Sequence, residues 1–220
     1  MSDTFPGSPR LARAGLVVLD ALTGAVQRII TLQYNPDTVT RSLQAKGASG
    51  DTNDPGEALR LSGPPTETIT LEAELDVTDE LSDPDNHSTE VALGLLPRLA
   101  ALEALLYPSA QQMQQHDALA KAGTVEILPI PGPLLVFVWS PNRVVPVRLT
   151  ELSIVEQAFD PNLRPIRAKV SLTLRSLSVD DLGFGTRGGS LAMTHHLGVE
   201  QFATQAPGGG FEDLGLGGLP

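Results

Sequence analysis

The sequence predicts a mainly β protein of the α+β class, an antiparallel β-barrel or β-sandwich with one principal helix packed on it. Several stretches alternate apolar and polar residues with a period of two, as half-buried strands do. Clusters of Gly, Pro, Asn and Asp separate these stretches. One segment, residues 89–106, follows the helical period instead. With 220 residues and 41% hydrophobic content the chain can bury a sizeable core, although its length leaves the number of domains open.

Three strands are predicted in the first 46 residues. Residues 13–20 and 26–34 are apolar stretches on either side of a short turn. The turn signal NPD at 35–37 follows, and residues 38–46 continue as a third strand. Residues 47–65 are rich in Gly, Pro, Asp and Ser, which predicts a long exposed acidic loop.

The clearest strand pattern covers residues 66–78. Five apolar side chains share one face: Ile69, Leu71, Ala73, Leu75 and Val77. Glu72, Glu74 and Asp76 lie on the opposite face. This alternation predicts a strand with one buried and one exposed side.

Strand patterns resume in the second half of the chain. Residues 134–139 (LLVFVW) are apolar on both faces, which is typical of a central buried strand. A change of parity near Thr150 and Glu151 predicts a β-bulge. In the last strand four side chains point inward: Ala168, Val170, Leu172 and Leu174. Its basic side chains point outward: Arg167, Lys169 and Arg175.

The principal helix is predicted at about residues 89–106. Five apolar residues follow its period: Val91, Leu95, Leu99, Leu102 and Leu106. Ser88 or Thr89 can serve as its N-cap. Pro97 lacks a backbone donor, so the helix is expected to kink or restart there.

The chain is expected to divide into a β domain, residues 1–182, and a glycine-rich C-terminal extension, residues 183–220. The extension contains a possible short helix at 190–203, and its last residues are expected to be mobile. Residues 183–188 match the GxGxxG pattern of dinucleotide sites, but neither a following strand nor a ribose-binding acid is present. We therefore interpret these glycines as a flexible linker.

The net charge of −11 comes entirely from one block. Residues 51–90 hold twelve acids and one base, Arg60, whereas the rest of the chain holds fourteen of each sign. Because clustered Lys and Arg are lacking, nucleic-acid binding is not expected. There is no Cys, so no thiolate chemistry is expected either. No signal peptide or membrane span is predicted, which favours a cytoplasmic protein without direct membrane insertion.

No motif points clearly to catalysis, and we predict neither an enzyme nor a bound metal or cofactor. Glu72 and Glu74 resemble a carboxylate pair, but acid–base work requires a cleft and unequal environments. His195 and His196 are adjacent, so their rings point apart, and with Glu200 they fit a solvated tail better than a metal site.

The ribbon at residues 153–177 has two interpretations that the composition leaves even. In one, its basic side chains form a solvated face, paired with the three carboxylates of residues 66–78 across one sheet. In the other, the acidic face of one copy meets the basic face of the next. Contacts of that head-to-tail kind can close into a ring.

Four segments occur in a recognisable order: TLQYNPDTVTRSLQ (31–44), SGPPTETITLEAELDVTD (62–79), LPRLAALEALLYP (96–108) and residues 131–177. The most specific motif among them is AFDPNLRPIRAKVSL. Together these segments resemble the tube-protein domain of contractile injection systems, which are phage tail-like particles of bacteria. The likeness covers roughly residues 16–182, and the subtype it resembles is the tube–spike adaptor.

The resemblance implies a phage tail-tube-like fold assembled as a homo-hexameric ring. Such a ring joins the spike or hub protein to the inner tube protein or tube initiator and contacts other baseplate proteins. It is assembled into a particle that stays in the cytoplasm or is released. The expected subunit-interface residues are Glu72, Glu74, Asp76, Phe159, Asp160, Asn162, Arg164, Arg167, Lys169 and Arg175.

Two alternatives remain. An inner-tube or tube-initiator ring protein belongs to the same class, although an acidic insertion at 51–65 fits a unique layer better than a repeated one. A monomeric β-sandwich hydrolase or ligand-binding module would use Glu72 and Glu74. The adaptor subtype often ends in a LysM module, which this sequence lacks after Leu182. We therefore expect the extension to dock on a neighbouring baseplate protein instead.

Overall fold

The computed structural model describes residues 12–21, 23–47, 59–121, 123 and 132–219. Seven antiparallel strands form one sheet in the order β2-β1-β5-β6-β7-β4-β3. The strands are β1 (Gly15–Leu19), β2 (Val26–Thr31), β3 (Val39–Gly47), β4 (Leu61–Asp76), β5 (Leu134–Ser140), β6 (Arg143–Phe159) and β7 (Pro165–Ser176). The helices are α1 (Thr78–Leu81), α2 (Ser88–Leu93), α3 (Leu96–Glu103), α4 (Ala110–Lys121), α5 (Val179–Leu182) and α6 (Arg187–Thr204). The predicted mainly β, α+β class is confirmed.

The sheet is strongly curled. Its first strand, β2, is followed by Gln33, whose amide donates a hydrogen bond to the Asp76 carbonyl over 2.6 Å. The Asp76 N–H donates in return to Gln33 Oε1 over 2.9 Å. Asp76 ends β4, the sixth strand of the sheet. Because a flat sheet would hold these strands about five spacings of roughly 4.8 Å apart, the contact requires a barrel-like bend.

The concave face of the sheet holds the main core. All of the inward residues predicted for β4 and β7 are buried. Phe137 of β5 and Val145 of β6 join them, and Leu95, Leu99 and Leu102 close the core from the helical side. The predicted β-bulge is confirmed by a register shift between Leu149 and Glu151.

A second, smaller core lies on the other face of β1 and β5. Leu19, Leu134 and Val136 are buried there, with Leu182 and Leu191 of the C-terminal helices packed against them. This packing explains why residues 134–139 are apolar on both faces, as the sequence predicted.

The predicted helix 89–106 is two helices, α2 and α3, which are separated at Gly94 and Leu95. The expected restart is therefore confirmed, with Pro97 in the first turn of α3. The predicted N-cap is wrong, because α2 starts at Ser88 after His87 and no side chain caps it. Of the five residues that follow the helical period, Leu95, Leu99 and Leu102 are buried, whereas Val91 and Leu106 are 42% and 44% exposed.

The break at Gly94 brings α3 against the start of β7. Gly94 has a positive φ of 58°, and a Cβ there would lie 2.6 Å from the Pro165 carbonyl oxygen. The Leu95 N–H donates to the same carbonyl over 2.9 Å. The chain can make this close approach only with glycine at position 94.

The prediction of one principal helix is wrong. The longest helix is α6, with 18 residues, and α4 has 12. The helix expected at 190–203 is confirmed with wider bounds. Nor are the preceding glycines an exposed linker, because Gly188 and Gly189 are buried. A Cβ on Gly189 would lie 1.9 Å from the Gly183 carbonyl oxygen, so this segment is a tight turn.

Two other predicted segments are partly tested. Of the expected acidic loop 47–65, residues 48–58 lie outside the described residues, and residues 61–65 belong to β4 instead. Beyond α6, residues 205–219 are exposed and contain a short 3₁₀ helix, Phe211–Leu214. Their expected mobility stays a prediction.

Replacing Gly94 by Ala should lower the free energy of unfolding by about 2 kcal/mol or more, because a side chain at this φ is strained and its Cβ meets a carbonyl. Urea titration followed by circular dichroism measures the change. Gly198→Ala is the control: a Cβ at this position of α6 meets nothing within 4 Å, and Ala favours helix. Equal losses for the two variants would contradict the close approach at Gly94.

Candidate subunit interface

The carboxylates of β4 and the basic residues of β7 are neighbours on one sheet. Lys169 Nζ lies 3.0 Å from a Glu74 carboxylate oxygen, and Arg167 Nε lies 2.8 Å from Asp76 Oδ2. Their strand register is antiparallel and places each pair directly opposite. Pairing across one sheet is therefore confirmed for these two pairs. It does not extend to Glu72, which lies opposite Ser171.

Arg175 pairs elsewhere. Its Nη2 lies 2.8 Å from Asp181 Oδ1 in α5. Asp181 also accepts from the Ser178 N–H over 2.9 Å in a capping box. Burial alone would raise the pKa of Asp181, but the Ser178 hydrogen bonds and nearby cations lower it below its usual value. Arg175 thus ties the end of β7 to the C-terminal helices.

Asp76 is held by several hydrogen bonds at the end of β4. Burial would raise its pKa, but hydrogen bonds from Thr78 and Arg167 outweigh burial and lower it. The Thr78 N–H donates to Asp76 Oδ1 over 2.7 Å. The carboxylate is therefore ionised at neutral pH and held in place at the end of β4.

The tip of the β6–β7 hairpin is tied down rather than free. Asp160 accepts from the N–H groups of Asn162 and Arg164, each over 2.8 Å. These backbone hydrogen bonds, that of Arg164 first, lower the pKa of Asp160. Arg164 Nη1 donates to the carbonyls of Val91 and Ala92 in α2. Asp160, Asn162 and Arg164 thus shape the turn and dock it on α2.

Phe159 differs from its neighbours at the hairpin tip. It ends β6 and is 49% exposed, and Leu163 in the turn is 80% exposed. Among the predicted interface residues, Phe159 is the one that offers apolar surface to a partner.

Sequence reasoning missed the open edges of the sheet. In the described part of the chain, β2 and β3 each pair on one side only. β5 pairs with β6 only between Arg143 and Val147. The rest of that β6 edge has no strand partner among described residues. The sequence held one sign of such an edge, because VQRIIT in β2 does not alternate cleanly between apolar and polar residues. In the structure Val26 and Ile29 of this strand are 60% and 62% exposed.

Glu72 and Glu74 line a shallow hollow of about 340 Å³ beside the turn at residues 34–38. Both side chains are exposed, and Glu74 is paired with Lys169. The hollow therefore provides no difference in burial that would separate a general acid from a general base.

His195 is not part of a solvated tail, contrary to the sequence prediction. Its Nε2 lies 3.9 Å from a carboxylate oxygen of Glu67, which is only 5% exposed and is paired with Arg41. Burial lowers the pKa of His195, Glu67 opposes this, and the cations Arg41 and Arg143 reinforce it. α6 packs on the sheet, which brings His195 to Glu67.

His196 faces away from His195, as expected for adjacent residues. It lies 3.3 Å from Glu200, one helical turn further along α6. Within the described ranges no group of three or more His, Asp or Glu side chains is arranged to hold a metal ion. None of the described helices is long and apolar enough to cross a membrane.

Comparison with known proteins adds no relative: no protein-family model matches the chain, and no curated protein is significantly similar to it.

Acid should loosen α6 through His195. Because its folded-state pKa is lowered, the unfolded chain binds the proton more readily. The stabilising contribution is thus complete above the ordinary pKa of 6.5 and is lost as pH falls through the folded-state pKa. His195→Gln should flatten the decline of the urea midpoint below pH 6.5. His196→Gln is the matched control. An unchanged pH profile in His195→Gln would refute this role.

Proposed function

We propose that this chain is a structural baseplate component of a contractile injection system, forming a hexameric ring that joins the spike hub to the inner tube. The order of the motifs in residues 16–182 supports the family, and the mainly β fold is compatible with it. The observation that carries an assembly role is the set of open sheet edges with exposed apolar side chains.

Open edges favour pairing between copies. Unpaired N–H and C=O groups on an edge strand are a template for another strand. The edge at β2 exposes Val26 and Ile29, and the edge at β3 exposes Leu43 at 54%. Because the two ends of the sheet differ, joining one to the other is a head-to-tail contact, which can close into a ring.

Within this class the adaptor layer is the better fit. The acidic stretch at 51–60, which precedes β4, suits a layer that occurs once, between the hub and the inner tube, more than a layer repeated along a tube. Other baseplate proteins would then surround the ring. The particle would be assembled in the cytoplasm of the producing cell.

Electron microscopy of particles pulled down from the native lysate with a tagged copy tests the role. Sheathed rods labelled at the spike end are expected. Label along the whole rod would instead favour the tube protein. A lone monomer without partners would overturn the assembly role and favour the alternative of a monomeric hydrolase or ligand-binding module. That alternative would then be tested by replacing both Glu72 and Glu74 with Gln and measuring the loss of activity.

Val26→Lys combined with Ile29→Lys should abolish ring formation while the monomer stays folded. Both side chains are mostly exposed, so the core is spared, whereas charge on an edge strand opposes pairing. Size-exclusion chromatography and particle counts measure the loss. The matched control is Met113→Lys with Leu119→Lys, two comparably exposed positions on α4. Normal particles from the β2 variant would exclude this edge.

Arg167→Glu combined with Lys169→Glu should block assembly, because it makes the charged face of β4 and β7 uniformly acidic. Adding Glu74→Lys restores opposite charges in the pair of residues 74 and 169 and should recover particles in part. Circular dichroism checks that the reversed monomer is folded. If the reversed variant assembles like the wild type, these ion pairs act only within the sheet.

A further inference from the structure

A groove lies between α6 and one end of the concave face of the sheet. Its walls come from Arg41 on β3, from Trp139 and Arg143 around the β5–β6 turn, and from His195 and Phe202 on α6. It encloses about 470 Å³, within the range of roughly 300–1,000 Å³ that is usual for ligand pockets. It can therefore accept one or two side chains of a bound peptide.

Arg143 gives this groove an unbalanced positive charge. Arg41 is neutralised by its ion pair with Glu67. Among the described residues, by contrast, Arg143 has neither an ion pair nor a side-chain hydrogen bond. His195, in the same wall, is kept neutral near pH 7 by burial, which lowers its pKa. A carboxylate is thus the group that best complements the groove.

The groove is also apolar and open on its helical side. Val199 and Phe202 of α6 are 49% and 50% exposed. Between His195 and Val199, a Cβ built on Gly198 would meet nothing within 4 Å. Trp139, from the sheet, also lines the groove. Unfilled apolar walls around one cation suit an apolar side chain flanked by an acid.

The C-terminal segment, residues 210–219, has the complementary pattern. Its four large apolar side chains are 45–77% exposed: Phe211, Leu214, Leu216 and Leu219. Glu212 and Asp213 lie among them, and no Lys or Arg occurs after α6. The short 3₁₀ helix is capped by Asp213, whose carboxylate accepts from the Gly210 N–H over 2.8 Å, so Phe211 and Glu212 are presented together.

We propose that this groove binds the C-terminal segment of a second copy of the chain. Phe211 enters between Trp139 and Phe202, and the Glu212 carboxylate pairs with Arg143. The inference rests on the proposed function only in assuming that copies assemble side by side.

The structure favours a second copy over self-binding. The residues that line the groove do not include any of 205–219, so within the described part of the chain the tail does not fill the groove of its own copy. Each copy then offers one tail and one groove. In a head-to-tail ring every tail finds a groove, and no copy is left unsatisfied.

The test uses Trp139, the only tryptophan in the chain, as an internal reporter. A synthetic peptide of residues 207–219 is titrated into the full-length chain at low protein concentration. Because Trp139 lines the groove, we expect a saturable change in its emission. The full-length Phe211→Ala variant serves as a second receptor, because its own C-terminal segment competes less with the added peptide for the groove.

Two receptor variants test the groove itself. Gly198→Leu fills it with a side chain that favours helix, so binding should be lost without unfolding α6. Gly198→Ala should still bind. Arg143→Glu should weaken binding of the wild-type peptide by about tenfold or more. A peptide with Glu212→Lys should bind the Arg143→Glu receptor better than it binds the wild-type receptor. Arg148→Glu, an exposed charge change on the same strand, is the matched control.

The outcomes separate the proposals. Saturable binding that is lost in Gly198→Leu supports the inference. Trp139 emission that does not respond to the peptide, or binding that ignores both Gly198→Leu and Arg143→Glu, overturns it. Binding of a tail within its own copy does not depend on protein concentration. If Trp139 emission differs between wild type and Phe211→Ala at every dilution, the tail binds its own groove, and this result would also overturn the inference. Peptide binding without rings in the micrographs would overturn the proposed function alone.

Discussion

The contact between Gln33 and Asp76 is the constraint on which the rest of the fold depends. Two hydrogen bonds join Gln33, just after β2, to Asp76 at the end of β4 and fix the curl of the sheet. The same Gln33 accepts from Arg98 of α3 over 3.2 Å, and the Asp76 carboxylate holds Arg167 of β7. One junction therefore sets the sheet curvature, seats α3 over the core and aligns the charged face of β7.

The sheet also has open edges. Strand β6 has 17 residues and β5 has 7, so β6 has no β5 partner beyond Val147. The described ends of the sheet, at β2 and β3, are likewise paired on one side only. Natural sheets usually blunt such edges with charge or proline. Here the edge at β2 carries exposed Val26 and Ile29, which is expected where another subunit covers the strand.

Local patterns predicted what local physics decides. The alternation in β4 and the apolar residues on both faces of β5 could be predicted, because the pattern of neighbouring residues shows whether one or both faces of a strand are buried. The break at Gly94 was not placed, since it depends on the Pro165 carbonyl, far along the chain. Helix α6 begins earlier than predicted, because Gly188 and Gly189 are buried in its first turn and pack closely against neighbouring residues. From composition alone these glycines resemble a linker. The groove joins three distant segments and has no local signature.

Charge and apolar surface have different roles in any assembly of this chain. Each copy carries a net charge of −11, so copies brought side by side repel one another, although salt screens that repulsion beyond roughly 8 Å. Exposed pairs such as Lys169 with Glu74 contribute little to binding strength. Favourable free energy is then expected from main-chain hydrogen bonds between edge strands and from burying apolar edges and tails, at about 25 cal/mol per Å². Local cations such as Arg143 would then determine which acidic segment meets which groove, and so fix the register of neighbouring copies.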